Sequence, residues 1–445
     1  MTRRGTYSSS SLSSSILTDL WKWGKCNPCQ GVATCSEFGP AEIRRSVAHA
    51  GSGVRLRRAL QKMVGGQAVR MGVVGGESAR WNGGVWDGAP GFFFGRLGIW
   101  SKLVFDHFNV TFPHPGNTLD SAAQPATDSI YHASCYDDHA NLSEANIIFI
   151  ELGINDAWRL PSTRSSETLV RRLLELPEQP AVVFLENFAP KSGVFGTGQD
   201  AHSIVASYYD IPIISVRDML YFNLFTKSSD SVLSYFASDQ QHPNERGHRL
   251  GAELVIHYIQ QTLCGMAHDQ AVTPPPHGLT SLSALRPEEL SIVIPPVSLF
   301  SPRHSSATTR VARPRCYTMV SGSLKVVNST GWSDYTYGKK KYLEATAVGA
   351  SVTFSIKTEA GGVSITHLSS SQYGLGKAWC WVDNDEALGK LFNGWSPLNF
   401  STATNHPLRT NVMPPGQHNL TCRIVQASDD LNGGHRFRIW GVATT

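Results

Sequence analysis

The chain has 445 residues, 41% of them apolar and 17% charged, and a formal net charge of +4. That composition excludes wholesale disorder, and the length allows two or three domains with a sizeable core. The charge is mild and no long Lys/Arg block occurs, so nucleic acid is not an expected partner, and no apolar run reaches the roughly 18 residues a membrane helix requires.

Met1 to Ser15 is a serine run behind Arg3-Arg4, without a hydrophobic stretch of signal-peptide length. Against that stand eight cysteines and five Asn-x-Ser/Thr acceptors, at Asn109, Asn141, Asn328, Asn399 and Asn419. The compartment stays open, with a secretory or extracellular one suggested by the cysteines and acceptors. Cys380 and Cys422 lie in strand-like stretches and could pair. Cys26-x-x-Cys29 with Cys35 lacks a second ligand pair at finger spacing, so disulfides or free thiols are expected there before a metal. No cofactor is expected.

Residues 1–65 read as a lead-in ending in a basic amphipathic helix, with Leu56, Leu60, Met63 and Val64 at helical spacing. Arg55, Arg57, Arg58 and Lys62 interleave with them and are expected to form a solvated face. From 66 to 264 strands and helices alternate. Val69–Val74 is a strand, and Phe93, Leu97, Trp100, Val104 and Phe108 suggest a helix. Asn146–Leu152 is a buried strand, Thr168–Leu176 helical, Ala181–Glu186 a strand, Asp200–Tyr209 helical and Ile211–Ser215 a strand, with Asn244–Leu263 a long closing helix. That alternation implies an α/β domain with a parallel sheet covered on both faces. Residues 265–315 carry Pro274-Pro275-Pro276 and further prolines, marking a linker or a draped segment. From 316 to 445 short alternating runs broken by Gly, Asn and Asp predict an all-β sandwich.

Three clusters carry chemistry. Gly75-Gly76-Glu77-Ser78 follows the first strand, and a serine there stands at the carboxyl edge of the sheet, where open α/β proteins gather their ligands. Gly153-Ile154-Asn155-Asp156 directly follows the second buried strand; alone, it is ordinary turn chemistry. Asp239-Gln240-Gln241-His242-Pro243 precedes the last helix. Proline keeps His242 extended, and Asp239, three residues earlier, can fold back onto Nδ1, leaving Nε2 free to act as a base.

Gly76-Glu77-Ser78, Gly153-Ile154-Asn155-Asp156 and Asp239-x-x-His242-Pro243, in that order, resemble the blocks of the SGNH (GDSL-type) hydrolases over residues 66–264. Pro113–Thr118, Tyr208–Ser215, His242–Arg249 and Gly433–Gly441 are similar to phrases of fungal and algal members that carry a β-rich C-terminal region. The resemblance implies a three-layer α/β/α, flavodoxin-like domain followed by the sandwich. It also implies Ser78 as nucleophile, His242 as its base and Asp239 as the group orienting His242. Asn155 and the backbone N–H of Ser78 would bind the oxyanion, with a third donor, normally a glycine, aligned here with Ala122. Glu77 replaces the commoner aspartate and keeps its charge. The expected activity is that of a serine esterase releasing O-acyl, above all O-acetyl, groups from carbohydrate through an acyl-serine. Acyl transfer to a sugar hydroxyl uses the same motifs. The alternative from another class is a non-catalytic glycan-binding or cell-surface protein on a decayed hydrolase scaffold, for which the tail offers Trp332, Tyr335, Tyr337, Trp379, Trp381 and Trp395.

Overall fold

The computed structural model describes residues 34–79, 98–226, 229–272, 294–301, 314–337, 340–398, 400–410 and 413–445. The serine-rich lead-in, Cys26, Cys29, Phe93, Leu97 and the prolines at 274–276 lie outside these residues.

The first sheet contains β1 (Val47–His49), β2 (Arg70–Gly75), β3 (Thr118–Ser121), β4 (Ile147–Glu151), β5 (Ala181–Glu186) and β6 (Ile213–Ser215). Its order is β1-β6-β5-β4-β2-β3. Strands β2 to β6 run parallel, and β1 closes one edge antiparallel to β6. Taken alone, the parallel strands have the order of a flavodoxin-like sheet. The chain leaves β2 for β3 on one side and returns to β4 on the other, which makes the carboxyl ends of β2 and β4 the switch point where ligands collect.

Every residue of β4 and β5 is buried, because helices cover both faces. Ile147 and Phe149 face one core with α1 (Val54–Val64), α2 (Trp100–Thr111) and the closing helix (Glu245–Val272); this core includes Leu60, Trp100, Phe108 and Leu254. Ile148 and Ile150 face the other, with α3 (Ser129–Cys135), α4 (Leu160–Leu174) and α5 (Gly198–Tyr209), through Leu169, Leu173 and Val205. The two-residue period of the strands thus feeds two cores at once. The charges of α1 are less solvated than expected. Arg58 donates to the carbonyls of Glu178 and Gln179, and Lys62 pairs with Glu178 at 2.9 Å.

The closing helix runs on to Val272, past the boundary expected at 264. Part of the Pro-rich stretch, residues 294–301, is draped over α4 and α5. Arg171 donates to Pro295 O at 2.7 Å, Tyr208 to Val297 O at 3.0 Å and the Leu299 N–H to Glu167 at 2.5 Å.

From Arg315 onward the chain is all β, in one antiparallel sheet of six strands and another of five around a shared core. Val352, Phe354 and Ile356 alternate inward with Thr353 and Ser355 between them, as the sequence pattern requires. Cys380 and Cys422 stand opposite each other on neighbouring strands and are bonded. All six described cysteines are in disulfides. Trp332 and Trp381 are core residues, each 8% exposed, which weakens the tail as an aromatic display.

The two units meet along one seam. Cys135 of α3 is bonded to Cys316, and the Tyr131 ring lies 5.7 Å from that of Trp440. From the strand Thr402–Arg409, the Ala403 N–H donates to Ala126 O at 2.7 Å and the Thr404 hydroxyl to Asp128 at 2.6 Å. Asn405 Nδ2 reaches Ile130 O at 3.2 Å.

Candidate active site

At the end of β2 the chain bends at Gly76 and makes one short 3₁₀ turn, Glu77–Ala79. A Cβ on Gly76 would fall 2.3 Å from the side-chain oxygen of Asn155, so the glycine leaves the room in which the Asn155 amide lies against this turn. The Asn155 and Asp156 N–H groups both turn back onto Leu152 O, which presents the Asn155 side chain towards residue 77.

His242 arrives from the loop before the closing helix. Gln240 takes a positive φ of 54°, and Asp239 Oδ1 accepts the N–H groups of Gln241 and His242 at 3.0 and 3.1 Å. Its other oxygen, Oδ2, accepts from His242 Nδ1 at 2.6 Å. Asp239 therefore fixes both the loop and the ring.

The other ring nitrogen meets an unexpected partner. Nε2 donates to Glu77 Oε1 at 2.7 Å, and the expected Ser78–His242 hydrogen bond is not formed. Ser78 is buried, 4% exposed, and its hydroxyl makes no hydrogen bond among the described residues. Glu77 Oε2 accepts the Ala126 N–H at 2.8 Å and Asn155 Nδ2 at 3.2 Å. Residue 77, by the motif a charge-conserving neighbour of the nucleophile, is the group at the centre.

The third donor also differs from expectation. The Ala122 N–H donates to Val73 O at 2.8 Å, continuing the ladder of the sheet, so it is not available to an oxyanion. Ala126, four residues on, supplies the N–H that faces the centre. It does so from a left-handed conformation, φ 65°, which is where a glycine would ordinarily stand. Alanine hid that position in the sequence.

Electrostatics follow from this packing. Burial alone would lower the His242 pKa, but the hydrogen bonds and charges of Glu77 and Asp239 outweigh it and raise the pKa to about 9. Burial would raise that of Glu77, yet His242 and the Ala126 N–H hold it well below the usual carboxylate range. At neutral pH the centre is a carboxylate–imidazolium–carboxylate row.

Behind it lies a second polar cluster, of which the sequence motifs included only Asp156. His202 sits between Glu186 and Asp156, 2.7 Å from each, and Asp156 also accepts the Ser129 N–H and hydroxyl. Burial disfavours charge on His202, but the two carboxylates prevail and raise its pKa to about 10. Glu151, at the end of β4, is pushed up to about 8 by burial, which keeps it protonated at neutral pH. Glu151 and Glu186 end β4 and β5, where the apolar pattern of the strands conceals them, and His202 lies within α5. They hold the loop carrying Asn155. Among the described residues no group of His, Cys, Asp or Glu has the arrangement of a metal site.

No protein-family model matches this sequence, and no curated protein matches it. Among solved structures the chain is similar to a two-domain esterase, CEX, active on acetylated mannans, seen alone and co-crystallized with mannopentaose. Both comparisons give a TM-score of 0.65 at 16% identity; they cover 90% of this chain and 97% or 98% of the other. At that identity the likeness is one of fold, and it spans both units: an α/β domain joined to a β-rich one.

Proposed function

We propose that this chain acts on O-acylated carbohydrate, with O-acetyl esters as the first candidates, and that its centre is built for ester hydrolysis. The observation that carries this reading is the convergence of His242 Nε2, the Ala126 N–H and the Asn155 amide on two oxygens of one carbon, those of the Glu77 carboxylate. A reacting ester needs the same environment: a base facing the attacking oxygen and amide donors facing the carbonyl oxygen. The shared fold with an esterase active on acetylated mannans supports carbohydrate as the carrier of the acyl group. Trp158, 70% exposed and three residues beyond Asn155, offers a ring on which a sugar could stack.

In the SGNH-type route, His242 takes the proton of a serine hydroxyl while the hydroxyl oxygen bonds to the acyl carbon. His242 then gives that proton to the departing sugar oxygen. Water repeats the sequence, releasing the free acid and restoring the hydroxyl. Ser78 is the hydroxyl that the motif assigns to this step, and it must replace Glu77 beside Nε2 to perform it. A second reading, binding of acylated glycan without turnover, is favoured by one observation: Glu77 already fills the place of both reacting oxygens. Hydrolysis of p-nitrophenyl acetate and acetylated mannan, comparing wild type with Ser78→Ala and His242→Ala, separates the two. Turnover lost in both variants establishes the acyl-serine route. No turnover in any of the three, with retained mannan binding, establishes the second reading.

A further inference from the structure

The partners of Glu77 divide between its two oxygens in a particular way. Among the described residues, Oε1 accepts from the imidazole and Oε2 from two amide donors, and the N–H of Glu77 itself also supports the carboxylate. A surface ion pair would leave one oxygen in water. A general base would keep one oxygen free for a proton. Glu77 does neither. Its carboxylate has the bonding of a product acid held in a hydrolytic centre, with one oxygen against the base and the other among the oxyanion donors. The chain has also shaped itself around this group. Ala126 adopts the left-handed conformation that aims its N–H at Oε2, and its carbonyl is held by Ala403 from the β-sandwich.

We infer that Glu77 is a resident mimic of the acyl product, closing a binding site for small carboxylic acids that must be vacated before an ester can enter. This rests on reading the centre as one built for ester hydrolysis. The ligand class is a short-chain carboxylate such as acetate, recognised by His242, Asn155 and the Ala126 N–H. In wild type, covalent attachment gives the Glu77 carboxylate an effective concentration that free acetate does not match.

The test uses the whole chain with Glu77→Ala, which empties the site, Glu77→Ser, which empties it and leaves a hydroxyl at its base, and Glu77→Gln, which fills it without charge. Acetate binding is followed through the NMR signals of the His242 ring. Acetate should saturate Glu77→Ala and shift those signals, leave wild type and Glu77→Gln unmoved, and bind at least about tenfold more weakly when Asn155→Ala is added. Hydrolysis of p-nitrophenyl acetate should rise at least about tenfold over wild type in Glu77→Ala or Glu77→Ser. A gain in Glu77→Ala that needs Ser78 makes Ser78 the nucleophile, whereas a gain confined to Glu77→Ser gives that position to residue 77; both support closure by Glu77. Acetate binding to Glu77→Ala without hydrolysis in any variant supports the inference and overturns the hydrolase reading. The inference itself is overturned if acetate binds wild type as well as Glu77→Ala, if it binds none of the folded variants, or if wild type turns over ester and every Glu77 variant is slower.

Discussion

His242 stands between two carboxylates, and each contributes to its raised pKa. An imidazole is a base only when neutral, so kcat/KM for any serine-based step should rise with pH around a midpoint near 9. The ordinary value is about 6.5. Glu77→Gln and Asp239→Asn each remove one negative partner and should move the midpoint down, as read by NMR titration of the ring. A wild-type midpoint near the ordinary value would mean that Glu77 does not hold the ring in solution. Stability has its own pH dependence. Because the folded pKa of His242 lies above the unfolded one, the contribution of its charge is complete below about 6.5, down to the acid range where Glu77 and Asp239 protonate, and is lost as pH rises through about 9. The melting temperature should therefore fall across that window, and Glu77→Gln should flatten the fall. Asn155 contributes differently. If its amide serves the oxyanion, Asn155→Ala in a hydrolysing form lowers kcat by roughly 10²–10³ with KM nearly unchanged. A change in KM alone would make Asn155 a substrate-binding residue.

At the scale of elements, the site is four loops, after β2, β3 and β4 and before the closing helix, which carry Glu77, Ala126, Asn155 and His242. Trp158 lies on the loop after β4, and the chain at Gly196 packs against its ring, with a Cβ there only 2.9 Å from the indole. An exposed ring held at this edge should bind polymer and not a small ester. Trp158→Ala is expected to raise KM for acetylated mannan severalfold, about 1 kcal/mol of lost stacking, with p-nitrophenyl acetate unaffected. Equal losses on both substrates would place Trp158 in the centre's architecture instead. Much of this layout was legible in the sequence. The apolar runs of β4 and β5 are continuous because both faces are buried, and Pro243 marks His242 as lying before the closing helix, which starts at Glu245. The short edge strands β1 and β3 were not legible, since their residues alternate between partial exposure and solvent. Nor was the role of residue 77. Sequence comparison weighs Glu77 as a charge-conserving neighbour of Ser78, whereas the 3₁₀ turn decides which of two adjacent side chains faces the imidazole. Ala126 is hidden for a related reason: alanine carries no mark of a positive φ, and the motif alignment points to Ala122 instead.

For the whole molecule, the seam makes the β-sandwich part of the centre and not merely an appendage. The Ala403 N–H and the Thr404 hydroxyl, both on one strand of the sandwich, hold Ala126 O and Asp128, just C-terminal to the peptide whose Ala126 N–H faces Glu77. Asp128 is also the N-cap of α3, accepting from the Tyr131 N–H at 3.0 Å, so the brace and the helix share one carboxylate. A left-handed alanine costs about 1 kcal/mol relative to glycine, and the bond from Ala403 offsets a cost of that size. Two substitutions separate strain from bracing. Ala126→Gly keeps the N–H and removes the strain, so it should raise the melting temperature slightly and leave the His242 midpoint where it was. Thr404→Val removes the hydroxyl bond at nearly constant volume and should cost about 1 kcal/mol of stability. If the sandwich positions the donor, Thr404→Val also loosens the Ala126–Glu77 bond, lets the Glu77 carboxylate draw closer to an ordinary pKa and shifts the His242 midpoint with it. A stability loss with an unmoved midpoint would confine the strand to holding the two units together, a task Cys135–Cys316 already performs.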